Sequence, residues 1–187
     1  MKMFILGKKI KMTQIWKDGK VFPVTVIEAK PNKVEYFRTK EKDKYESICL
    51  NLNNHKKEFR LDKLTDEEKD MLKNKKVIDL SFFKEGEKVI VSSISKGKGF
   101  TGVVKRHGFG GGPRTHGQKN RWRAPGSIGP TAPQHIFKGR KMAGRAGNQR
   151  ITIKNIEVVS VDTQNNILML KGGVAGSRNA LIEIRKK

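Results

Sequence analysis

The feature that most limits the fold of this 187-residue chain is a stretch without a single acidic residue, from position 88 to position 156. Within it, residues 96–150, here called the basic window, hold 13 Lys or Arg, 13 of the 19 Gly and 4 of the 6 Pro. The apolar side chains of this window are scattered, with neither the period of a strand nor that of a helix. The window is therefore expected to be a long irregular extension without a core of its own.

The net charge indicates a polyanionic partner. The sequence has 41 Lys and Arg against 18 Asp and Glu, a formal charge of +23. A net charge of about 2–8 already keeps a small domain soluble, so solubility does not explain the excess. Nucleic acid is the partner that this charge predicts.

Composition argues against several other classes of protein. No apolar run approaches the roughly 20 residues of a membrane span, and the apolar run at residues 4–6 is too short for a secretion signal. Cys49 is the only cysteine, so the chain has neither an internal disulfide nor a cysteine zinc site. These features predict a cytoplasmic protein with no membrane partner, and 187 residues are enough for one domain of ordinary size or two small ones.

Outside the basic window, the sequence predicts short strands. Asp18-Gly19 between two apolar runs is typical of a β-hairpin turn. Thr65 and Glu68 fit a capping box, which predicts a short helix over about residues 66–74. Many short strands with turns between them are typical of a small barrel or sandwich. The predicted strands are 12–16, 21–29, 34–39, 45–52, 77–83, 88–95, 151–161, 166–171 and 180–185.

The basic window contains a GxGxxG match that does not indicate a dinucleotide site. Residues 97–102 fit the pattern, but the fingerprint also needs a following helix and an acidic residue about 20 positions later. Residues 117–122 contain no acid, and the chain has no Walker-type Gly-Lys-Ser/Thr motif. No cofactor and no small-molecule substrate are therefore expected.

The histidines and the missing carboxylates argue against metal binding and catalysis. His107, His116 and His135 have no Cys, Asp or Glu nearby in sequence to complete a metal site, so hydrogen bonding or base stacking is the expected role. Hydrolytic and nuclease chemistry usually needs carboxylates, and the window has none. The chain is expected to hold no metal and not to be an enzyme.

The candidate binding residues belong to the basic window and include three basic clusters, at 105–107, 121–123 and 138–141. Arg pairs bidentately with phosphate and stacks on bases, while Lys supplies point charge. Trp122 has two open roles, stacking on an unpaired base or anchoring the window against the rest of the chain. The predicted contacts are Lys96, Lys98, Lys105, Arg106, His107, Arg114, His116, Lys119, Arg121, Trp122, Arg123, Lys138, Arg140, Lys141, Arg145 and Arg150.

These same residues resemble a known family. The runs at 97–109 (GKGFTGVVKRHGF), 111–113 (GGP), 115–117 (THG), 123–129 (RAPGSIG) and 137–144 (FKGRKMAG) are similar to the signature of the universal ribosomal protein three family, bacterial type. The GKK and MTQI runs near the start are similar to the family's opening. The resemblance covers most of the chain and is weakest over about residues 37–80.

The resemblance implies a mainly β fold: a small β-barrel of the translation-protein type with a short α+β insertion and a long irregular basic extension. The expected barrel covers about residues 1–36, 77–106 and 150–187, the insertion about 37–76, and an rRNA-threading extension about 107–149. Arg145 stands where some members carry a methylated glutamine, so that modification does not carry over.

The resemblance also implies a structural role in the ribosome. Members bind large-subunit, 23S-type rRNA directly near its 3′ end, act early in subunit assembly and contact neighbouring ribosomal proteins. Their extension approaches the peptidyl transferase centre, and the candidate contacts above become rRNA contacts. The chain is expected to lie in the large subunit in the cytoplasm.

Two alternatives share the positive charge. A DNA-binding architectural protein usually shows a groove-reading helix, a basic β-arm or a dimerisation signal, and the sequence contains no strong amphipathic helix. An rRNA-modifying enzyme needs a cofactor loop or a catalytic acid in its functional segment, and the basic window has neither.

Overall fold

The computed structural model describes residues 3–17, 19–62, 64–73 and 75–187. The chain divides into two units, a first unit of residues 1–95 with 150–187, and a second unit of residues 96–149. The short helices are α1 (Lys40–Asp43), α2 (Asp66–Lys73) and α3 (Val103–His107), and a 3₁₀ turn covers Leu80–Phe82. The strands are β1 (Phe4–Lys17), β2 (Lys20–Glu28), β3 (Asn32–Arg38), β4 (Ser47–Leu52), β5 (His55–Arg60), β6 (Val77–Ile78), β7 (Lys88–Ile94), β8 (Phe100–Thr101), β9 (Gly144–Arg145), β10 (Arg150–Asp162), β11 (Ile167–Lys171) and β12 (Leu181–Lys186).

Six strands of the first unit close into a barrel in the order β1-β12-β7-β10-β11-β2, and β2 pairs back with β1. Every neighbouring pair is antiparallel. Alternate residues point inward because successive side chains of a strand lie on opposite faces. On β12 this alternation buries Ile182 and Ile184, which join Leu168 and Leu170 of β11 in the core. The predicted mainly β class is confirmed.

A second sheet of the first unit, in the order β5-β4-β3-β6, has its own core. Ile48 and Leu50 of β4 pack there with Leu72 of α2. Strand β1 serves both cores, because Ile5 lies in the barrel core while its neighbours Phe4 and Leu6 lie in the core of the second sheet. The alternation of one strand therefore joins the two layers.

Most of the predicted elements of the first unit are confirmed. Strands β1 and β2 form the predicted hairpin, with Gly19 at φ +71°; Asp18 lies outside the described residues. The capping box is present, since Thr65 N donates to Glu68 Oε2 at 3.3 Å and Glu68 N donates to Thr65 Oγ1 at 3.4 Å. Helix α2 follows, and the predicted end at Asn74 lies outside the described residues.

Two expectations for the first unit are corrected. The predicted strand 77–83 is wrong beyond Ile78, because the Asp79 carboxylate accepts a hydrogen bond from Ser81 N at 3.1 Å and caps a 3₁₀ turn. Strand β5 was missed, since its sequence HKKEFR has only one apolar residue. It pairs with β4 along its whole length.

Asn32 connects β1 to the start of β3. Its side chain is fully buried, with Oδ1 accepting from Leu6 N at 2.6 Å and Nδ2 donating to Leu6 O at 3.1 Å. Nδ2 also donates to Lys30 O at 2.7 Å. One amide side chain thus satisfies the backbone N–H and carbonyl of buried Leu6, which would cost free energy if unpaired, and also binds the carbonyl of exposed Lys30.

We expect Asn32→Ala to lower the free energy of unfolding by about 3 kcal/mol, because it leaves buried backbone groups unpaired. Urea unfolding followed by circular dichroism measures this change. The matched control is Asn120→Ala, at an exposed position of the second unit, which we expect to change stability by less than about 0.5 kcal/mol. Equal midpoints for the two variants would contradict the assigned role of Asn32.

Glu58 of β5 is the centre of a polar network on the second sheet. Its carboxylate accepts from Arg38 Nε at 2.9 Å and from the hydroxyls of Tyr36 and Tyr45, each at 3.0 Å. The hydrogen bond from Arg38 is the largest cause of a lowered pKa of Glu58; desolvation opposes it, and the two tyrosines support it. Arg38 also pairs with Asp43 at 2.5 Å.

A lowered folded-state pKa means that Glu58 stabilises the fold above its unfolded pKa and that this contribution disappears as the pH falls through the folded pKa. We therefore expect the urea midpoint of Glu58→Gln to lie below that of the wild type at pH 6. The difference between the two midpoints should become smaller as the pH is lowered to 3. The exposed Glu41→Gln serves as the control. A gap between Glu58→Gln and wild type that stays constant with pH would show that the network does not depend on the ionised carboxylate.

Candidate nucleic-acid interface

The second unit is cationic and exposed. It contains 12 Lys or Arg and no acidic residue. Only Thr101 and Val103 are buried among its residues, at 7% and 3% exposure. Of the ion pairs that join described residues, none uses a Lys or Arg of this unit. Carboxylates of the described residues therefore form no ion pair with its positive charge.

Backbone contacts join the two ends of the second unit, at residues 96–101 and 144–147; these two segments together are here called the root. Strands β8 and β9 pair antiparallel, with Phe100 opposite Arg145. Beside them, Lys98 N donates to Ala146 O and Ala146 N donates to Gly99 O, both at 2.9 Å. Gly147, at φ +71°, lies so close to Lys96 that a Cβ would stand 2.1 Å from the Lys96 carbonyl oxygen. Only glycine fits this approach.

Arg106 and His107, both predicted as rRNA contacts, are engaged within the unit. They lie on α3, and Arg106 Nη1 donates to Met142 O at 2.7 Å, while His107 Nε2 lies 3.0 Å from the same oxygen. Gly144 allows this contact, because a Cβ there would lie 2.6 Å from Arg106 Nη1. Arg106 is therefore a positioning residue, because it connects helix α3 to the segment around Met142 that precedes strand β9.

Trp122 is held by its own unit. Gly112 N donates to Trp122 O at 2.9 Å. The guanidinium carbons of Arg114 and Arg123 lie 5.5 and 5.2 Å from the centre of the Trp122 ring, within the range of a cation–π contact. Trp122 remains 37% exposed. Two of the predicted arginines thus gather at one aromatic side chain.

The other predicted contacts are distributed over the surface of the second unit. Arg140 donates through Nη2 to Ser127 O. Arg150 belongs to the first unit, where it begins β10 and pairs with Glu183. The predicted residues with exposed side chains in the second unit, apart from Arg106, Trp122 and Arg140, are Lys96, Lys98, Lys105, Arg114, His116, Lys119, Arg121, Arg123, Lys138, Lys141 and Arg145.

Two exposed aromatic residues of the second unit, Phe100 and Phe137, were not among the predicted contacts. Phe100 is 80% exposed and Phe137 56%. The Phe137 ring also meets His135 edge-on at 5.7 Å between centroids. A sequence signal existed, because Phe137 directly precedes the basic cluster at 138–141 and aromatic residues interleaved with cations are typical of nucleic-acid surfaces.

The structure contains no membrane-spanning helix in the part of the chain that it describes. Over the same residues, no three His, Cys, Asp or Glu side chains group closely enough to hold a metal ion.

Comparison with known proteins identifies the family. The sequence model described as Ribosomal protein L3 matches residues 61–166. A large ribosomal subunit protein uL3 of Herpetosiphon aurantiacus is 45% identical, with 97% of this chain and 95% of the relative covered. Those of Dehalococcoides mccartyi and Bacillus thuringiensis are 44% and 40% identical, covering 97% of this chain and 97% and 95% of the relatives. The chain belongs to the ribosomal protein L3 family.

The range matched to the L3 family contains the candidate interface. Residues 61–166 include the whole second unit, from Lys96 to Gln149. The resemblance seen in the sequence is thereby confirmed. The runs at 97–109 and 137–144 that resemble the L3 signature contain Arg106 and Met142, which are hydrogen-bonded, and Thr101 and Gly144, which pair in the root.

We expect Arg106→Ala to loosen the root of this L3-family chain without unfolding the barrel. A hydrogen bond from a charged donor is worth roughly 1.5–3 kcal/mol, and exposure to solvent lowers this to about 1 kcal/mol. The amides of Lys98 and Ala146 should then exchange with deuterium about 5- to 10-fold faster. Lys105→Ala, at the exposed neighbouring position, is the control. Unchanged exchange at both amides in Arg106→Ala would contradict the positioning role.

Proposed function

We propose that this L3-family chain is a structural protein of the large ribosomal subunit that binds the rRNA of that subunit directly through its second unit. The observation that carries this proposal is the exposure of 12 cationic side chains in residues 96–149 without any carboxylate among them. Its curated relatives are named as large-subunit proteins, which supports the same assignment.

Counterion release supplies the binding free energy in this proposal. RNA phosphates carry condensed cations, and each Lys or Arg that replaces one releases it into solution. Among the 12 cations, Arg106 and Arg140 are hydrogen-bonded to backbone carbonyls of their own unit. The other ten are exposed, two of them (Arg114 and Arg123) beside the Trp122 ring, and are assigned to phosphate and base contacts, with Arg favoured where bidentate pairing or stacking is needed.

The irregular backbone suits a folded RNA partner. The second unit exposes glycines at φ values between +65° and +83°, including Gly99, Gly126 and Gly139, where a Cβ would have no other atom within 4 Å. Such bare backbone can approach phosphates closely. An extended cationic segment of this kind recognises the shape of RNA more than its sequence.

Membership of the family supports a finer role. We assign the chain to direct binding near the 3′ end of the large-subunit rRNA, to early subunit assembly, and to an extension that approaches the peptidyl transferase centre. Neighbouring large-subunit proteins are its other partners, and the cytoplasm is its location. The second unit offers no carboxylate for acid–base catalysis, which supports a structural role and not an enzymatic one.

The salt dependence of RNA binding tests the proposal. If about ten cations neutralise phosphates, the logarithm of the affinity for large-subunit rRNA should fall with the logarithm of salt concentration at a slope of about −7 to −9. The double variant Lys138→Ala with Lys141→Ala should lower the magnitude of this slope by about 2. Filter binding over a salt series measures both quantities.

The matched control removes two exposed lysines from the first unit, Lys42→Ala with Lys84→Ala. Its slope should equal that of the wild type. An equal decrease of the slope in the two double variants would show that RNA affinity depends only on the net charge of the protein and not on where the lysines lie. Tighter binding to duplex DNA than to folded rRNA at the same salt concentration would favour the DNA-binding architectural alternative.

A further inference from the structure

The second unit contains a cleft of about 920 Å³ that the assignment of phosphate contacts leaves unexplained. Its walls are formed by residues 109–112, by Gln118 and Arg121, and by residues 124–127. Clefts of about 300–1,000 Å³ are typical of sites for small molecules and cofactors. A single nucleotide fits a cleft of this volume.

The walls of the cleft are fixed by the chain itself. Gly112 N donates to Trp122 O at 2.9 Å, and Ala124 N donates to Arg121 O at 3.1 Å. Gly111, at φ +73°, lies against the same carbonyl, since a Cβ would stand 2.3 Å from Trp122 O. The two segments that face each other across the cleft are therefore joined by direct backbone contact, and any side chain at position 111 would separate them.

The groups that line the cleft suit the face of a base, the edge of a base and a phosphate. Phe109 supplies a half-buried aromatic ring, on which a base can stack. The half-buried Gln118 side chain supplies one amide donor group and one acceptor, which suits the polar edge of a base. Arg121 supplies a cation for phosphate. No carboxylate lines the cleft to repel a phosphate.

We propose that this cleft takes one unpaired nucleotide of the rRNA, turned out of its helix. Phe109 stacks on the base, Gln118 hydrogen-bonds its edge and Arg121 pairs with the phosphate. The proposal rests on the proposed function and specifies which form of RNA the second unit selects, namely a bulged or looped nucleotide. Positive charge alone would bind duplex and single-stranded RNA alike. Base edges and faces become accessible in this way only outside the helix.

Paired RNA probes test the cleft. The full-length chain is titrated with an RNA hairpin that carries one bulged nucleotide, in four versions for the four bases, and with the same hairpin fully paired. We expect at least one bulged version to bind about tenfold more tightly than the paired hairpin, as expected for one stacked base. Phe109→Ala and Gln118→Ala should each bring this ratio toward 1 while leaving affinity for the paired hairpin unchanged.

The matched control is Phe100→Ala, which removes the same side chain at an 80% exposed position that does not line the cleft. Its ratio should equal that of the wild type. Gln118→Ala keeps the test valid if Phe109→Ala disturbs the walls, which the circular dichroism spectrum and urea midpoint would reveal. A second readout replaces the bulged base with 4-thiouridine, whose photochemical crosslink should map to residues 109–127.

The outcomes separate the two proposals. Equal affinity of the wild type for the paired and all four bulged hairpins, with the steep salt dependence retained, would overturn the cleft proposal and leave the proposed function intact. Absence of binding to every hairpin and to large-subunit rRNA would overturn the proposed function. A loss of affinity in Phe109→Ala and Gln118→Ala that is equal for paired and bulged hairpins would show that these side chains serve only to shape the unit.

Discussion

Electrostatic repulsion within the second unit is the constraint on which the rest of the structure depends. Twelve cations in 54 residues have no carboxylate between them, and only two side chains are buried to offset their repulsion. The path of the unit is instead set by backbone hydrogen bonds across the root and by the bond from Arg106 to Met142 O. A surrounding layer of phosphates is the environment that lowers the free energy of such an arrangement.

In the first unit, apolar cores and paired polar side chains stabilise the fold. Strand β1 contributes Ile5 to one core and Leu6 to the other, so a single strand couples the barrel to the second sheet. Asn32 satisfies the buried backbone at this junction, and Glu58 gathers its cationic and phenolic neighbours on the exposed face. All 18 carboxylates of the sequence belong to this unit, where ion pairs such as that of Arg38 with Glu58 neutralise part of its positive charge, whereas the second unit has no carboxylate to do so.

The sequence predicts those features that depend on neighbouring residues. The hairpin of β1 and β2 and the capping box of Thr65 and Glu68 are local patterns, and both are confirmed. Strand β5 is held by pairing with β4 and carries little apolar signal of its own. The contact of Arg106 with Met142 spans 36 positions, and the approach of Gly111 to Trp122 depends on how two loops fold together. Neither contact follows from composition or spacing.

Cationic residues that look equivalent in the sequence therefore have different physical roles. Arg106 and Lys105 are adjacent, yet the guanidinium of Arg106 is committed to a carbonyl near the root while Lys105 projects outward. Arg150, beyond the end of the second unit, pairs with Glu183 of the barrel. Charge density identifies the segment that we propose to meet RNA, since any of these cations attracts phosphate. Geometry decides which of them remain available for such a contact, because a guanidinium that is hydrogen-bonded to its own backbone holds that backbone in place.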